Sequence, residues 1–80
     1  MKITPSMTAI VTGGCSGLGH ATASKFRELG LNVAIFDMNA EQGQQRVEEL
    51  GAEQTLFCQV DVRDAASVEN AVNAVVERFG

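Results

Sequence analysis

The sequence has no tyrosine, no tryptophan, one histidine, one proline and two cysteines among its 80 residues. Without tyrosine, any mechanism that needs a catalytic phenol is excluded from this chain. Positive charge is scarce: six Lys and Arg stand against ten Asp and Glu, for a net charge of −4. That balance argues against a nucleic-acid or anionic-membrane surface, since both need clustered Lys and Arg. It also offers no long-range attraction for an anionic ligand, so a phosphate site here must rely on local backbone dipoles. No apolar run approaches the length of a membrane helix, and the opening Met1-Lys2-Ile3-Thr4-Pro5 is read as neither signal peptide nor transit segment. Cys15 and Cys58 form no C-x-x-C pair and are expected as reduced thiols of a cytoplasmic protein. With His20 they lack metal-ligand spacing, so no metal is expected.

What is present alternates between strand and helix patterns. Thr8-Ala9-Ile10-Val11 is a short apolar run closed by the turn signal Thr12-Gly13-Gly14, which predicts a buried parallel strand. Leu18, Thr22, Phe26 and Leu29 then recur at helical spacing, and Gly30 supplies the stop. Val33-Ala34-Ile35-Phe36 predicts a second strand ending on Asp37. Asn39 is placed to cap a second helix, lined by Ala40, Gly43, Val47 and Leu50 and closed by Gly51. Thr55 to Val60 predicts the third strand, ending on Asp61. Asp64 is the expected cap of a third helix with an apolar stripe of Val68, Val72, Val75, Val76 and Phe79.

Three strand-helix repeats imply parallel strands joined by crossovers, an α/β class. Continuous strand hydrophobicity implies helices on both faces. The expected fold is therefore the N-terminal half of a doubly wound Rossmann sheet, β-α-β-α-β-α with strand order 3-2-1, and residues 1–80 form one partial dinucleotide-binding domain. The sequence stops at Arg78-Phe79-Gly80, where a fourth strand is due, so an incomplete fold is expected, with an unpaired apolar edge on the first strand. Folded alone, a chain of this size hides only about 60% of its unfolded surface and would be marginally stable.

The segment Thr12-Gly13-Gly14-Cys15-Ser16-Gly17-Leu18-Gly19 joins the first strand to the first helix. Gly13 permits a sharp exit from the strand, Gly17 a close approach of backbone to a pyrophosphate, and Gly19 close packing of helix on sheet. The helix amides and dipole face this loop, an effect of about 0.3–1 kcal/mol when exposed. The spacing G-x-x-x-G-x-G is neither the G-x-G-x-x-G fingerprint nor a P-loop, because His20-Ala21 follows the last glycine. A tight turn without ligand is the plainer reading of glycine spacing alone.

Two acidic strand ends add specificity. Asp37 stands eighteen positions after Gly19, where a carboxylate accepts from ribose hydroxyls and repels a 2′-phosphate. Two like charges about 4 Å apart cost about 4 kcal/mol at an effective dielectric of 20. No Arg or Lys flanks Asp37 to reverse this, so NAD rather than NADP is expected. Asp61 can accept from an adenine amino group while Val62 packs on the ring. The plainer reading of Asp61 is a turn cap, but Asp64 already suits that role. A Cys15–His20 nucleophile pair is the rival site, and it lacks an orienting acid.

Together Thr12-Gly13-x-x-x-Gly17-x-Gly19, Asp37 and Asp61-Val62 resemble the N-terminal part of the short-chain dehydrogenase/reductase family, over essentially the whole chain. The string TGGCSGLG is most similar to the branch containing 3-hydroxyacyl-CoA dehydrogenase type 2 and related hydroxysteroid dehydrogenases. The resemblance implies cofactor contacts at Ser16 and Leu18, ribose contact at Asp37, and adenine contacts at Asp61 and Val62. It also implies hydride transfer between NAD and a small alcohol or ketone, and homo-oligomers, in a full-length form. NADP-preferring members often carry a basic residue before the central glycine, where this chain has Ser16. The family's catalytic Ser and Tyr-x-x-x-Lys, which exchange a proton with substrate, are absent from these residues, so no catalytic residue is expected here. A non-catalytic nucleotide-binding or assembly module completed by a partner chain is the alternative.

Overall fold

The computed structural model describes residues 7–80; Met1 to Pro5, read above as carrying no targeting signal, lie outside the described residues. β1 (Thr8–Thr12), α1 (Gly17–Glu28), β2 (Asn32–Asp37), α2 (Ala40–Leu50), β3 (Thr55–Gln59) and α3 (Ala65–Phe79) follow in the expected alternation. β2 lies between β1 and β3 and runs parallel to both, which is the order 3-2-1. The register sets Thr12 beside Phe36 and Asp37 beside Gln59. All three strands therefore finish along one edge of the sheet.

The expected helix starts are formed by side chains that give backbone amides an acceptor. The Asn39 carboxamide oxygen accepts from Gln42 N–H at 3.0 Å. The Asp64 carboxylate accepts from Ala66 N–H at 3.0 Å and Ser67 N–H at 3.4 Å. Caps of this kind contribute about 1 kcal/mol each.

Strand residues alternate in direction, so the central strand feeds two cores. Val33 and Ile35 pack with Val11, Cys15 and Ala23, with Phe26, Leu50 and Phe57 against them. Ala34 and Phe36 pack on the other side with Val60, Ala71 and Val75, flanked by Leu56, Cys58, Val68 and Phe79. α1 and α2 thus cover one face and α3 the other. α2 lies so close to β3 that a Cβ on Gly43 would run into the Phe57 ring. That proximity accounts for a mid-helix glycine, which costs about 1 kcal/mol relative to alanine.

Three apolar faces differ from their sequence pattern. In α1 the inward residue is Ala23, while Leu18 and Thr22 are exposed and Leu29 is 45% exposed. At its start the helix approaches the loop too closely for any side chain at Gly19, whereas Phe26, further along, packs against the core. In α2 Gly43, Val47 and Leu50 face inward as expected, but Ala40 is exposed at the helix start. In α3 Val75 is buried, whereas Val72 and Val76 are exposed. Val76 and Ile10 border a groove of about 360 Å³ along the edge of β1, which pairs only with β2 among the described residues. No helix among the described residues is long and apolar enough to cross a membrane.

Candidate nucleotide site

The C-terminal ends of the strands are tied together by backbone hydrogen bonds. Gly13 N–H donates to Phe36 O at 2.8 Å, and Val60 N–H donates to Asp37 O at 3.0 Å. Between them lies a cleft of about 230 Å³ lined by Gly13, Phe36, Asp37, Met38, Val60 and Val62. The fold thus brings Gly13, Asp37 and Val62, predicted from three separate segments, around one concavity. Met38 was not singled out from sequence, although a large apolar side chain after a strand end, 57% exposed, is the available signal.

The loop above this cleft has the backbone its glycines permit. Gly13 and Gly17 adopt φ of +67° and +33°. A Cβ on either would meet nothing within 4 Å, so each presents bare backbone to open space. Gly19 differs: a Cβ there would collide with the Gly13 carbonyl oxygen and lie 2.7 Å from Gly13 C. Its small size therefore serves contact between α1 and the loop, rather than between α1 and the sheet as its spacing suggested. Ser16 occupies the N-cap of α1 in extended conformation, and its hydroxyl makes no cap hydrogen bond. The first turn carries no acidic residue. Amides of a first helical turn lack intrahelical acceptors, and no carboxylate of α1 competes for them or for the dipole. Leu18 stands 85% exposed beside them.

β3 ends at Gln59, short of the expected Val60, so Asp61 lies two residues beyond the strand, yet it shares one local device with Asp37 at the end of β2. Asp37 Oδ1 accepts from Asn39 N–H at 3.0 Å, and Asp61 Oδ1 accepts from Arg63 N–H at 3.0 Å. Such turns hold a carboxylate close to its own backbone. Asp37 Oδ2 also accepts from Cys15 N–H at 3.1 Å, linking the loop to β2. Burial pushes the Asp37 carboxyl up, but the amides of Asn39, Cys15 and Met38 and the Cys15 thiol outweigh it and hold it below the usual 3.8. It is therefore ionised at neutral pH. Two of these hydrogen bonds are well formed, one on each carboxylate oxygen, and they fix the carboxylate at the strand end.

Asp61 is less open than its sequence position suggested. Asp64 does cap α3, but the Asp61 carboxylate is gripped by the Arg63 guanidinium, at 2.9 Å from Nε and 3.0 Å from Nη2. That side chain, and then the Arg63 amide, hold the Asp61 carboxyl below its ordinary value. Ser67 Oγ accepts from Asp61 N–H at 3.2 Å and fixes the strand end.

Cys15 and His20 do not form a pair. The Cys15 thiol is buried and lies 3.8 Å from Asn39 O. Burial first, and then the neighbouring Asp37 charge, push it up, which keeps it protonated and unreactive. His20 Nε2 instead lies 3.6 Å from the Glu49 carboxylate.

The short chain dehydrogenase family profile matches residues 7–80. A 2,5-dichloro-2,5-cyclohexadiene-1,4-diol dehydrogenase of Sphingobium indicum is 49% identical over 74 residues, 90% of this chain and 30% of the relative. Secoisolariciresinol dehydrogenase of Forsythia intermedia is 39% identical over 72 residues, 90% of this chain and 26% of the relative. Among solved structures, a short chain dehydrogenase from Bacillus anthracis superposes with a TM-score of 0.90 at 29% identity, over 95% of this chain and 32% of that one. A short-chain dehydrogenase/reductase, glucose/ribitol dehydrogenase, from Brucella melitensis gives 0.89 at 30% identity, over 94% and 32%. The chain thus spans about a third or less of the proteins it matches.

Proposed function

The chain belongs to the short-chain dehydrogenase family, and from that premise we propose that it holds the adenosine and pyrophosphate of NAD for an oxidoreductase acting on a small alcohol or ketone. The observation that carries this reading is the Asp37 carboxylate, ionised and fixed by Cys15 and Asn39 amides at the rim of the cleft shared with Gly13 and Val62. As an ionised acceptor at that rim, Asp37 suits ribose hydroxyls. The same charge opposes a 2′-phosphate, and no basic side chain follows it in Met38-Asn39. The bare backbone at Gly13 and Gly17 and the amides of Ser16, Gly17 and Leu18 suit a pyrophosphate. Gly19 keeps α1 against that loop. Val62 and Met38, both exposed at the cleft, offer apolar contact to adenine, and Asp61 an acceptor for its amino group. A bound NAD supplies the hydride acceptor or donor, and we assign no catalytic residue within residues 1–80.

In the whole protein, further strands are proposed to pair with the edge of β1 and bury Ile10 and Val76, and the enzyme is proposed to act as a homo-oligomer. Relatives named for dehydrogenase activity support this reading over a non-catalytic module. Equilibrium titration of the whole protein is expected to give NAD a Kd at least about tenfold below that of NADP, as charge repulsion at the ribose requires. A carboxyl held below 3.8 contributes above that pH and loses its effect only as pH falls through the lowered value. The affinity for NAD is therefore expected to stay level from about pH 8 to about pH 5, whereas NADP gains as its 2′-phosphate takes up a proton near about pH 6. Equal affinity for the two cofactors at about pH 8, or an NAD affinity that fades between those limits, contradicts the assignment.

A further inference from the structure

Arg46 lies on α2, two turns from its cap, and reaches across 31 positions of sequence to the loop between β1 and α1. Its Nε donates to the Cys15 carbonyl oxygen at 3.1 Å. Its Nη1 donates to the Glu49 carboxylate, at 3.0 Å to Oε2 and 3.3 Å to Oε1. The guanidinium is thus held between a loop carbonyl and an acidic side chain of its own helix, while its side chain is only 23% exposed.

Cys15 is consequently pinned from both sides. Its N–H is taken by Asp37 Oδ2 and its C=O by Arg46. The peptide that follows is planar and trans, so the direction of the Cys15 C=O dictates that of the Ser16 N–H on the opposite side. The other hold on that peptide is weak: Ser16 N–H reaches Gly13 O only at 3.4 Å, near the limit of a useful hydrogen bond. The orientation of the loop peptide leading into Ser16, Gly17 and Leu18 is therefore set mainly from α2.

We propose that Arg46 is a positioning residue for the nucleotide site, orienting the Cys15–Ser16 peptide so that the loop amides face a pyrophosphate. Arg46 itself touches no cofactor. Lysine is a poor replacement because a single ammonium lacks the planar set of donors that serves the Cys15 carbonyl and Glu49 together. This inference rests on the NAD reading above, and its test separates the two.

The whole protein, Arg46→Met and Arg46→Lys are titrated with NAD and with adenosine, which lacks the pyrophosphate. Arg46→Met is expected to weaken NAD about tenfold and adenosine less than about threefold, as loss of one charge-assisted hydrogen bond to the loop implies. Arg46→Lys is expected to fall between wild type and Arg46→Met. In the unliganded protein, amide hydrogen exchange at Ser16, the amide of the peptide that Arg46 holds, is expected to accelerate in both variants, a readout that needs no cofactor. If Arg46→Met does not fold, Arg46→Lys is judged by the same comparison. An NAD loss that exceeds the adenosine loss by about threefold or more supports the role, and a smaller difference overturns it. Failure of the wild-type protein to bind NAD overturns the cofactor reading and this inference together. Normal wild-type binding with unaltered variants overturns this inference alone.

Discussion

Asp37→Ala weakens NAD binding to the whole protein by about 10- to 100-fold while changing NADP binding by less than about threefold. The first number follows from two ribose hydroxyls losing an ionised acceptor, at about 1.5–3 kcal/mol for a hydrogen bond to a charged group, less what water restores. The second follows because NADP loses the same acceptor but is relieved of repulsion at its 2′-phosphate. Removing Asp37 also strands the Cys15 and Asn39 amides that now donate to it. Some loss of stability is therefore expected, and Asp37→Asn separates the effects by keeping an acceptor oxygen while removing the charge. In both variants the ratio of NAD to NADP affinity is the decisive quantity, since a general loosening of the loop lowers both together. A ratio unchanged from wild type contradicts the selector role of Asp37.

Gly19→Ala is expected to destabilise the whole protein by about 2–4 kcal/mol and to cost at least about tenfold in NAD affinity. A methyl group there meets the Gly13 carbonyl and the Gly14 Cα, both backbone atoms of the loop. No rotamer change relieves such a clash, so either α1 moves away or the loop shifts from its position over the cleft. Gly13 N–H is hydrogen-bonded to Phe36 O, and a shift of the loop strains that link to β2 as well. Denaturant unfolding and NAD titration measure the two effects. A stability within about 0.5 kcal/mol of wild type contradicts the tight contact between α1 and the loop.

The order of the sheet was legible because each strand is a short apolar run followed by a helix pattern, and topology rules leave few arrangements. The caps Asn39 and Asp64 were legible because such residues act through amides two or three positions away. The convergence of Gly13, Asp37 and Val62 was legible for a related reason: parallel strands finish on the same edge, and each residue lies at a strand end or within three residues after it. Arg46 and Arg63 were not singled out, because their partners are chosen by tertiary geometry or by the shape of a turn. A signal for Arg46 did exist. It lies three residues after Gly43 and four before Leu50, which places it beside the inward face of α2. Glu49 is engaged by Arg46 and His20 for the same geometric reason. The α1 pattern misled for another reason. Leu18 and Thr22 keep helical spacing with Phe26, but in the first turns the inward positions belong to Gly19, which lies against the loop, and Ala23, which is fully buried. Hydrophobicity alone does not report that distance.

The central claim is that the loop and the three strand ends form one nucleotide site at the C-terminal edge of the sheet. Amide hydrogen exchange of the whole protein with and without ADP-ribose tests it most directly. Within residues 7–80, slowed exchange is expected to be confined to the amides of the loop from Gly13 to Gly19 and of the strand ends around Asp37 and Val62. Protection absent from these segments, or centred instead on the groove between β1 and α3, would contradict the account.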